Sequence, residues 1–283
     1  MSLFQNILSS VMKGTRRLNR LGSKSFGKLH NDINKAVDSV MSTSGEVSSL
    51  VYAEHLLNLI ETQDDNNLNK FLKNLLSNYD IDTKKLAKDV KNYSSEKTEE
   101  NLIKINHSSE PKWVELFRRL NSTSNGTYRL VKLRERIRSL NNPELKTFDS
   151  GLLNLFKYWF NPSFLVLEKI DWETPANILE KIIEYEAVHE INSWDDLRAR
   201  LAPTDRQCFA FFHPLVPNDP LIFVEVALCV GIPKSIQKII KIDRDEIDIE
   251  EANTAIFYSI SNCHNGLLGI SFGNFLIKKV AKN

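Results

Sequence analysis

Only two of the nine prolines in this chain, Pro111 and Pro143, precede residue 159. Proline lacks a backbone N–H and breaks helix interiors. The first part can therefore run as successive helices, while the proline-rich remainder must be built from shorter pieces. Apolar residues in the first part recur at helical spacing: Leu56, Leu57 and Ile60; Leu68, Phe71, Leu72, Leu75 and Leu76; Val114, Phe117 and Leu120; Leu130, Leu133, Ile137 and Leu140. Polar residues fill the positions between, as amphipathic helices require. This predicts an all-helical bundle from about 40 to 158, with Asn66, Asp82 and Ser109 as caps at segment starts.

The later part mixes element types. Thr174 is expected to cap a helix with Pro175 at its first position, and Ser193 a second one through Leu197. Strand-like runs follow at Cys208–Phe212, Leu221–Ala227 and Thr254–Ser261, the last rich in β-branched and aromatic residues. Gly231 is expected to close the second strand, Pro233 to start a helix containing Ile236, and Gly273–Lys282 to form a final helix. The fold class is thus a helical bundle followed by an α/β domain whose strands are interleaved by helices.

Residues 1–31 carry Lys13, Arg16, Arg17, Arg20, Lys24 and Lys28 with no acidic residue, although the whole chain has a net charge of only +1. Basic, serine-rich and amphipathic, residues 1–30 read as a mitochondrial transit peptide. A basic tail or a membrane-surface helix has the same composition. The near-neutral total gives no argument for a nucleic-acid partner. No run of 18 apolar residues occurs, so no membrane span is expected. Cys208, Cys229 and Cys263 are too few and irregular for a disulfide framework or metal cluster and read as packed thiols.

One local arrangement has chemical content. Gly266, Gly269 and Gly273 follow the strongest strand and precede the last helix. A strand, a glycine loop and a helix N-terminus can hold a phosphate, because first-turn N–H groups lack intrahelical acceptors and the helix dipole favours an anion. The same glycines also suit a plain turn. Lys278 and Lys279 either add positive charge nearby or complement the helix C-terminus. His213 reads as a strand-end residue rather than a base, His189 as a cap or surface residue, and His264 as a surface loop residue. Ser259 and Ser261 sit in no nucleophile elbow.

Four long blocks carry a family resemblance: GLLNLFKYWFNPSFLVLEKIDWETP from Gly151, YEAVHEINSWDDLRARL from Tyr185, DRQCFAFFHPLVPNDPLIFVEVAL from Asp205, and ANTAIFYSISNCHNGLLGISFGNFLIKKVAKN from Ala252. Over these the chain resembles malonyl-CoA decarboxylases. The resemblance implies a helical oligomerisation domain at 40–160 and, at 161–283, the N-terminal part of an acetyltransferase-like catalytic domain. By matching position, Leu268, Gly269, Ile270, Ser271, Phe272, Gly273 and Asn274 would line the pyrophosphate of a coenzyme A thioester. The general acetyltransferase pattern Q/R-x-x-G-x-G/A is only partly met, with Leu268 at the Gln/Arg position and Ser271 at the first glycine. The implied reaction is the carboxy-lyase conversion of malonyl-CoA to acetyl-CoA and carbon dioxide, in fatty acid metabolism. The thioester is substrate, and no cofactor or metal is implied.

The family's S-P-x-P-G-F motif, which carries its serine, is absent from these residues, so no catalytic residue is assigned. The expectation is a truncated, inactive member: a gene-model fragment, a splice form or a degenerate copy. An N-acyltransferase sharing the coenzyme A loop and a non-catalytic helical partner of full-length subunits are the competing readings. The resemblance further implies a homo-oligomer and the mitochondrial matrix, with cytoplasm or peroxisome as alternatives.

Overall fold

The computed structural model describes residues 29–214, 216 and 218–282. The expected transit peptide lies outside the described residues, apart from its last two positions. Contacts divide the chain into two compact units between Leu152 and Leu153.

The first unit is helical. Its elements are α1 (Ile33–Ser42), α2 (Glu46–Glu61), α3 (Asp65–Asn78), α4 (Thr83–Ser95), α5 (Glu99–Ser108), α6 (Lys112–Asn121), α7 (Gly126–Ser139) and the start of α8 (Lys146–Trp159). Leu56, Leu57, Ile60, Leu68, Leu72, Phe117, Leu120 and Leu130 are buried, as the helical spacing requires. Asp82 caps α4 as expected, accepting from the Lys85 N–H at 3.0 Å. The other two expected caps are displaced. Asp64, not Asn66, caps α3 by accepting from the Asn67 N–H at 2.8 Å. Ser109 ends α5, while Pro111 precedes α6. Asp64 and Asn66 offer the same local chemistry, whereas Pro111 precedes α6 with no side-chain cap bond. Trp113 is fully buried against Phe117 and Phe148. A Cβ on Gly151 would sit 2.1 Å from its indole ring, so glycine is what lets α8 approach the ring.

Arginines of α6 and α7 tie these helices together. Arg129 of α7 reaches Glu54, Asn58 and Glu61 of α2 at 2.6–2.8 Å. Arg119 of α6 donates to the carbonyls of Val40 at 2.6 Å and Thr43 at 3.0 Å, satisfying orphan acceptors at the C-terminus of α1. Arg134 of α7 is buried and donates from Nε to Asp149 of α8 at 2.9 Å.

The second unit holds a four-stranded sheet in the order β1-β2-β3-β4. The strands are β1 (Val166–Ile170), β2 (Arg206–Phe212), β3 (Ile222–Cys229) and β4 (Thr254–Asn262). Every pairing is antiparallel. The helical half followed by strands with interleaved helices is as expected, with no parallel crossover in the sheet.

Strand β1 was not legible in the sequence. Its VLEKI segment has two charges in five residues and becomes a strand by pairing with β2 from Val166↔Phe212 to Ile170↔Cys208. Helices α9 (Ala176–Tyr185) and α10 (Trp194–Leu201) cover one face, where Ile178, Leu179, Ile182, Leu197 and Leu201 join Cys208, Ala210, Phe212 and Phe223. Helix α12 (Gly273–Val280) lies on the other face, with Phe275 stacked on Phe211 at 5.4 Å. With both faces covered, β3 is buried almost throughout, which explains its near-continuous apolar run. A short helix, α11 (Ile236–Ile240), packs with Ala227, Cys229 and Tyr258 in a smaller cluster.

Ser193 caps α10 as expected. Thr174 does not cap α9. Its hydroxyl accepts from the Asp171 N–H, and Pro175 stands at the cap. Ser235 rather than Pro233 precedes α11. The last helix ends at Val280, short of Lys282. Among the described residues, no helix is long and apolar enough to cross a membrane.

Candidate functional site

Strand β4 leads into a single 3-10 turn at Asn265–Leu267, then the loop, then α12. Gly269 has φ +95, a region that L side chains rarely enter, and its missing Cβ would press on Leu153 at 3.1 Å. The first i→i−4 bond of α12 runs from the Leu276 N–H to the Phe272 carbonyl at 2.9 Å. The N–H groups of Gly273, Asn274 and Phe275 therefore precede the ladder and have no intrahelical acceptor. The positive end of the helix dipole lies at the same place.

The seven candidate residues fall on this one segment with different exposures. Leu268, Gly269, Ser271 and Asn274 are exposed, and Ile270 and Gly273 are half-buried. Phe272 is 1% exposed and its ring meets that of Phe160 edge to face. Phe272 can offer a ligand its backbone but not its ring. Lys278 and Lys279 lie in the last turn of α12, at the end away from the loop, so they complement the helix C-terminus.

Beneath the opposite face of the sheet is a buried polar network that sequence reasoning did not assemble. The Glu186 carboxylate, just after α9, accepts from the Ser259 hydroxyl at 2.7 Å, the Ser261 hydroxyl at 3.2 Å, and the N–H groups of Val188 and His189 at 2.8 Å. Ser259 and Ser261 are therefore donors to a carboxylate, not nucleophiles with a base. Glu225 of β3 is fully buried, with Arg200 of α10 3.2 Å from its Oε2. Burial, with the Glu186 charge adding to it and Arg200 opposing it, pushes the Glu225 carboxyl up to about 7. A β-bulge at Glu225/Val226 leaves Tyr258 as the extra residue of β4, so that Tyr258 and Ser259 are both buried although adjacent. The clue in the sequence was Glu225 itself, the one charge within an apolar strand.

The histidines divide. His213 is buried at the end of β2, with Nε2 3.1 Å from the Trp159 carbonyl, and burial lowers its pKa. That agrees with a strand-end role. His189 contributes its N–H to the Glu186 carboxylate. His264 is a correction. It is 1% exposed rather than on the surface, and its Nε2 lies 3.4 Å from Oδ1 of Asp219. The thiols of Cys208, Cys229 and Cys263 are free and buried, and burial raises those of Cys208 and Cys263 well above the usual range. Thiols so placed are packing groups.

Two models of one family match successive stretches of the chain: the malonyl-CoA decarboxylase N-terminal domain matches residues 79–160 and the malonyl-CoA decarboxylase C-terminal domain matches residues 163–283. This chain belongs to the malonyl-CoA decarboxylase family. It is 38% identical over 188 residues to the mitochondrial malonyl-CoA decarboxylase of the goose Anser anser anser and 35% identical to that of the rat. Those matches take in 63% of this chain but only 37% and 38% of the relatives. The crystal structure of malonyl-CoA decarboxylase from Agrobacterium vitis superposes with a TM-score of 0.85 at 46% identity, covering 89% of this chain and 61% of that one. The Rhodopseudomonas palustris enzyme gives 0.83 at 44%, covering 90% and 63%. This malonyl-CoA decarboxylase family member therefore spans well under half the length of its curated animal relatives. The C-terminal-domain match includes the whole β4–loop–α12 segment.

Proposed function

We propose that this chain carries the part of a malonyl-CoA decarboxylase that receives the pyrophosphate of a coenzyme A thioester. The observation that carries the reading is the loop Leu268–Asn274, which has a positive-φ glycine, Gly269, near its start and opens onto the uncapped N-terminus of α12. Backbone donors suit a diphosphate, since the loop brings N–H groups close to the ligand without a Cβ in the way. The antiparallel strands ending at this loop are compatible with an acetyltransferase-like domain. In the family reaction, decarboxylation leaves an enolate on the thioester, which needs oxyanion donors and an acid to protonate carbon. Ser271 is exposed in the loop and His264 stands at its root, but the His264 ring is held against Asp219, so the two do not form a paired acid and oxyanion donor. The reading is therefore binding without turnover by these residues alone.

Calorimetric titration of the full chain with coenzyme A tests this. We expect weak binding that Gly273→Glu abolishes and Gly273→Ala retains. A Cβ at Gly273 would meet Ile222 and Ile260 only at 3.9 Å, so the alanine is tolerated, while the glutamate puts bulk and negative charge where the phosphate would sit. In a coupled assay, no acetyl-CoA should appear above background. A wild-type chain that ignores coenzyme A, or one that turns malonyl-CoA over, overturns the reading.

The curated animal relatives are named mitochondrial. With the acid-free basic segment at residues 1–31, this supports a matrix location. Residues 1–30 should carry a fused fluorescent reporter into mitochondria, and replacing Arg16, Arg17 and Arg20 with glutamate should leave it in the cytosol. A wild-type fusion that stays cytosolic counts against the proposal. Self-association through the helical unit is the remaining part of the reading. Val90, Leu102 and Ile103 on α4 and α5 are more than two-fifths exposed, which supports it. Light scattering should give a mass above that of one chain; a monomer at high concentration would rule this out.

A further inference from the structure

The diphosphate loop is held differently at its two ends. At the downstream end, Phe272 packs on Phe160 and Phe275 stacks on Phe211. Between the ends, Leu268, Gly269 and Ser271 are exposed. At the upstream end stands His264, whose carbonyl accepts the Leu267 N–H at 3.0 Å to close the 3-10 turn. Its side chain meets Asp219, which lies in the connection between β2 and β3 and is 4% exposed. Lys181 of α9 places its Nζ 2.9 Å from Oδ2 of Asp219 and 3.1 Å from the Asn218 carbonyl. Tyr185, one turn further along α9, donates its hydroxyl to Oδ1 of Asp219 at 3.5 Å and packs edge to face on the His264 ring at 5.5 Å.

We propose that His264, Asp219, Lys181 and Tyr185 form a polar anchor, buried at His264 and Asp219 and half-buried at Lys181 and Tyr185, that sets the position of the diphosphate-binding loop. This rests on the coenzyme A reading given above. None of the four is needed to touch the ligand, so they are positioning residues. The physical case is that buried charge is expensive unless it is paired with good geometry. Here two helix side chains, one turn carboxylate and one loop imidazole converge on a single point. Three segments that are distant in sequence are thereby fixed to one another at the root of the loop. Burial pushes the Asp219 carboxyl up, but His264 and Lys181 outweigh this and hold it below the usual range, consistent with a carboxylate that its partners stabilise. A loop that presents backbone donors binds well only when they are already aimed, because ordering it on binding subtracts from affinity.

The test compares His264→Leu, His264→Gln and Asp219→Asn in the full chain by coenzyme A titration and by hydrogen–deuterium exchange resolved to peptides. His264→Leu should raise exchange in residues 264–272 while the β2 peptide keeps its protection. It should also weaken coenzyme A binding about tenfold, as expected for loss of one charge-assisted contact. His264→Gln, which keeps a polar group of similar reach, should recover most of both. Asp219→Asn removes a charge without changing volume and should act in the same direction, so it decides the matter if His264→Leu loosens the whole chain. Unchanged loop exchange in Asp219→Asn and His264→Leu overturns the anchor. If the wild type fails to bind coenzyme A, the ligand reading falls, while the exchange of residues 264–272 still decides whether the anchor exists.

Discussion

Replacing Asp149 with alanine should cost the helical unit about 3 kcal/mol or more, the range seen when one partner of a buried ion pair is removed. Arg134 has a side chain only 1% exposed, and Asp149 accepts from its Nε at 2.9 Å. Burial already lowers the Arg134 pKa, with Asp149 opposing that shift. Arg138 also reaches Asp149, at 3.1 Å, but is a third exposed and can turn to water. Arg134 cannot leave without abandoning its packing in α7. The comparison is Glu110→Ala. Glu110 pairs with Arg118 in good geometry, yet both side chains are over two-fifths exposed, and such surface pairs contribute about 0–1 kcal/mol. Urea denaturation followed by circular dichroism measures both variants. If Asp149→Ala loses no more than Glu110→Ala, the claim for the buried pair is wrong. Asp149→Asn, which keeps an acceptor but not the charge, should fall between them.

The second large effect depends on pH and isolates Glu225. Its carboxyl is raised from the ordinary 4.5 to about 7 in the fold. Between those values the native state holds a proton that the unfolded chain has released. Stability therefore falls as pH rises from about 4.5 to about 7 and is level above that. At 1.36 kcal/mol per unit, the loss attributable to this group is about 3 kcal/mol. Glu225 is fully buried, so solvent screening does not reduce it. His213, whose pKa burial lowers, contributes the opposite slope and does so in any variant that keeps it. The informative quantity is thus the difference between wild type and Glu225→Gln. Glutamine cannot ionise, so its stability relative to wild type should rise by about 3 kcal/mol between pH 5 and pH 8. A difference that stays constant across that range would show that Arg200, 3.2 Å away, keeps the carboxylate ionised throughout.

The elements legible in the sequence were those whose own pattern fixes them. Segments β2, β3 and β4 are dense in β-branched and aromatic residues, and each forms a strand within two residues of the expected bounds. The helical faces of α2, α3, α6 and α7 follow from apolar spacing because one buried stripe suffices to orient a helix. Ser193 and Asp82 could be read as caps at the starts of amphipathic segments, although Asn192 and Asp80 offer similar side chains close by. Asn66 could not be told from Asp64, since both are good N-caps and lie two residues apart.

Tertiary structure decided everything that depends on residues far apart in the chain. The charged segment Val166–Ile170 is a strand only because β2 supplies its hydrogen-bond partners. Glu186 finds Ser259 across 73 positions, and His264 finds Asp219 from an unrelated loop. No local pattern encodes such pairs, because a side chain's burial depends on what the rest of the chain folds over it. A histidine in a glycine-bearing loop reads as exposed by composition; α9 and the β2–β3 connection bury it. The sequence alone determined that this chain is helical first and strand-bearing second, with glycines between its last strand and last helix. Only the fold decided which charges lie inside, since desolvation is a property of the assembled interior and not of any segment.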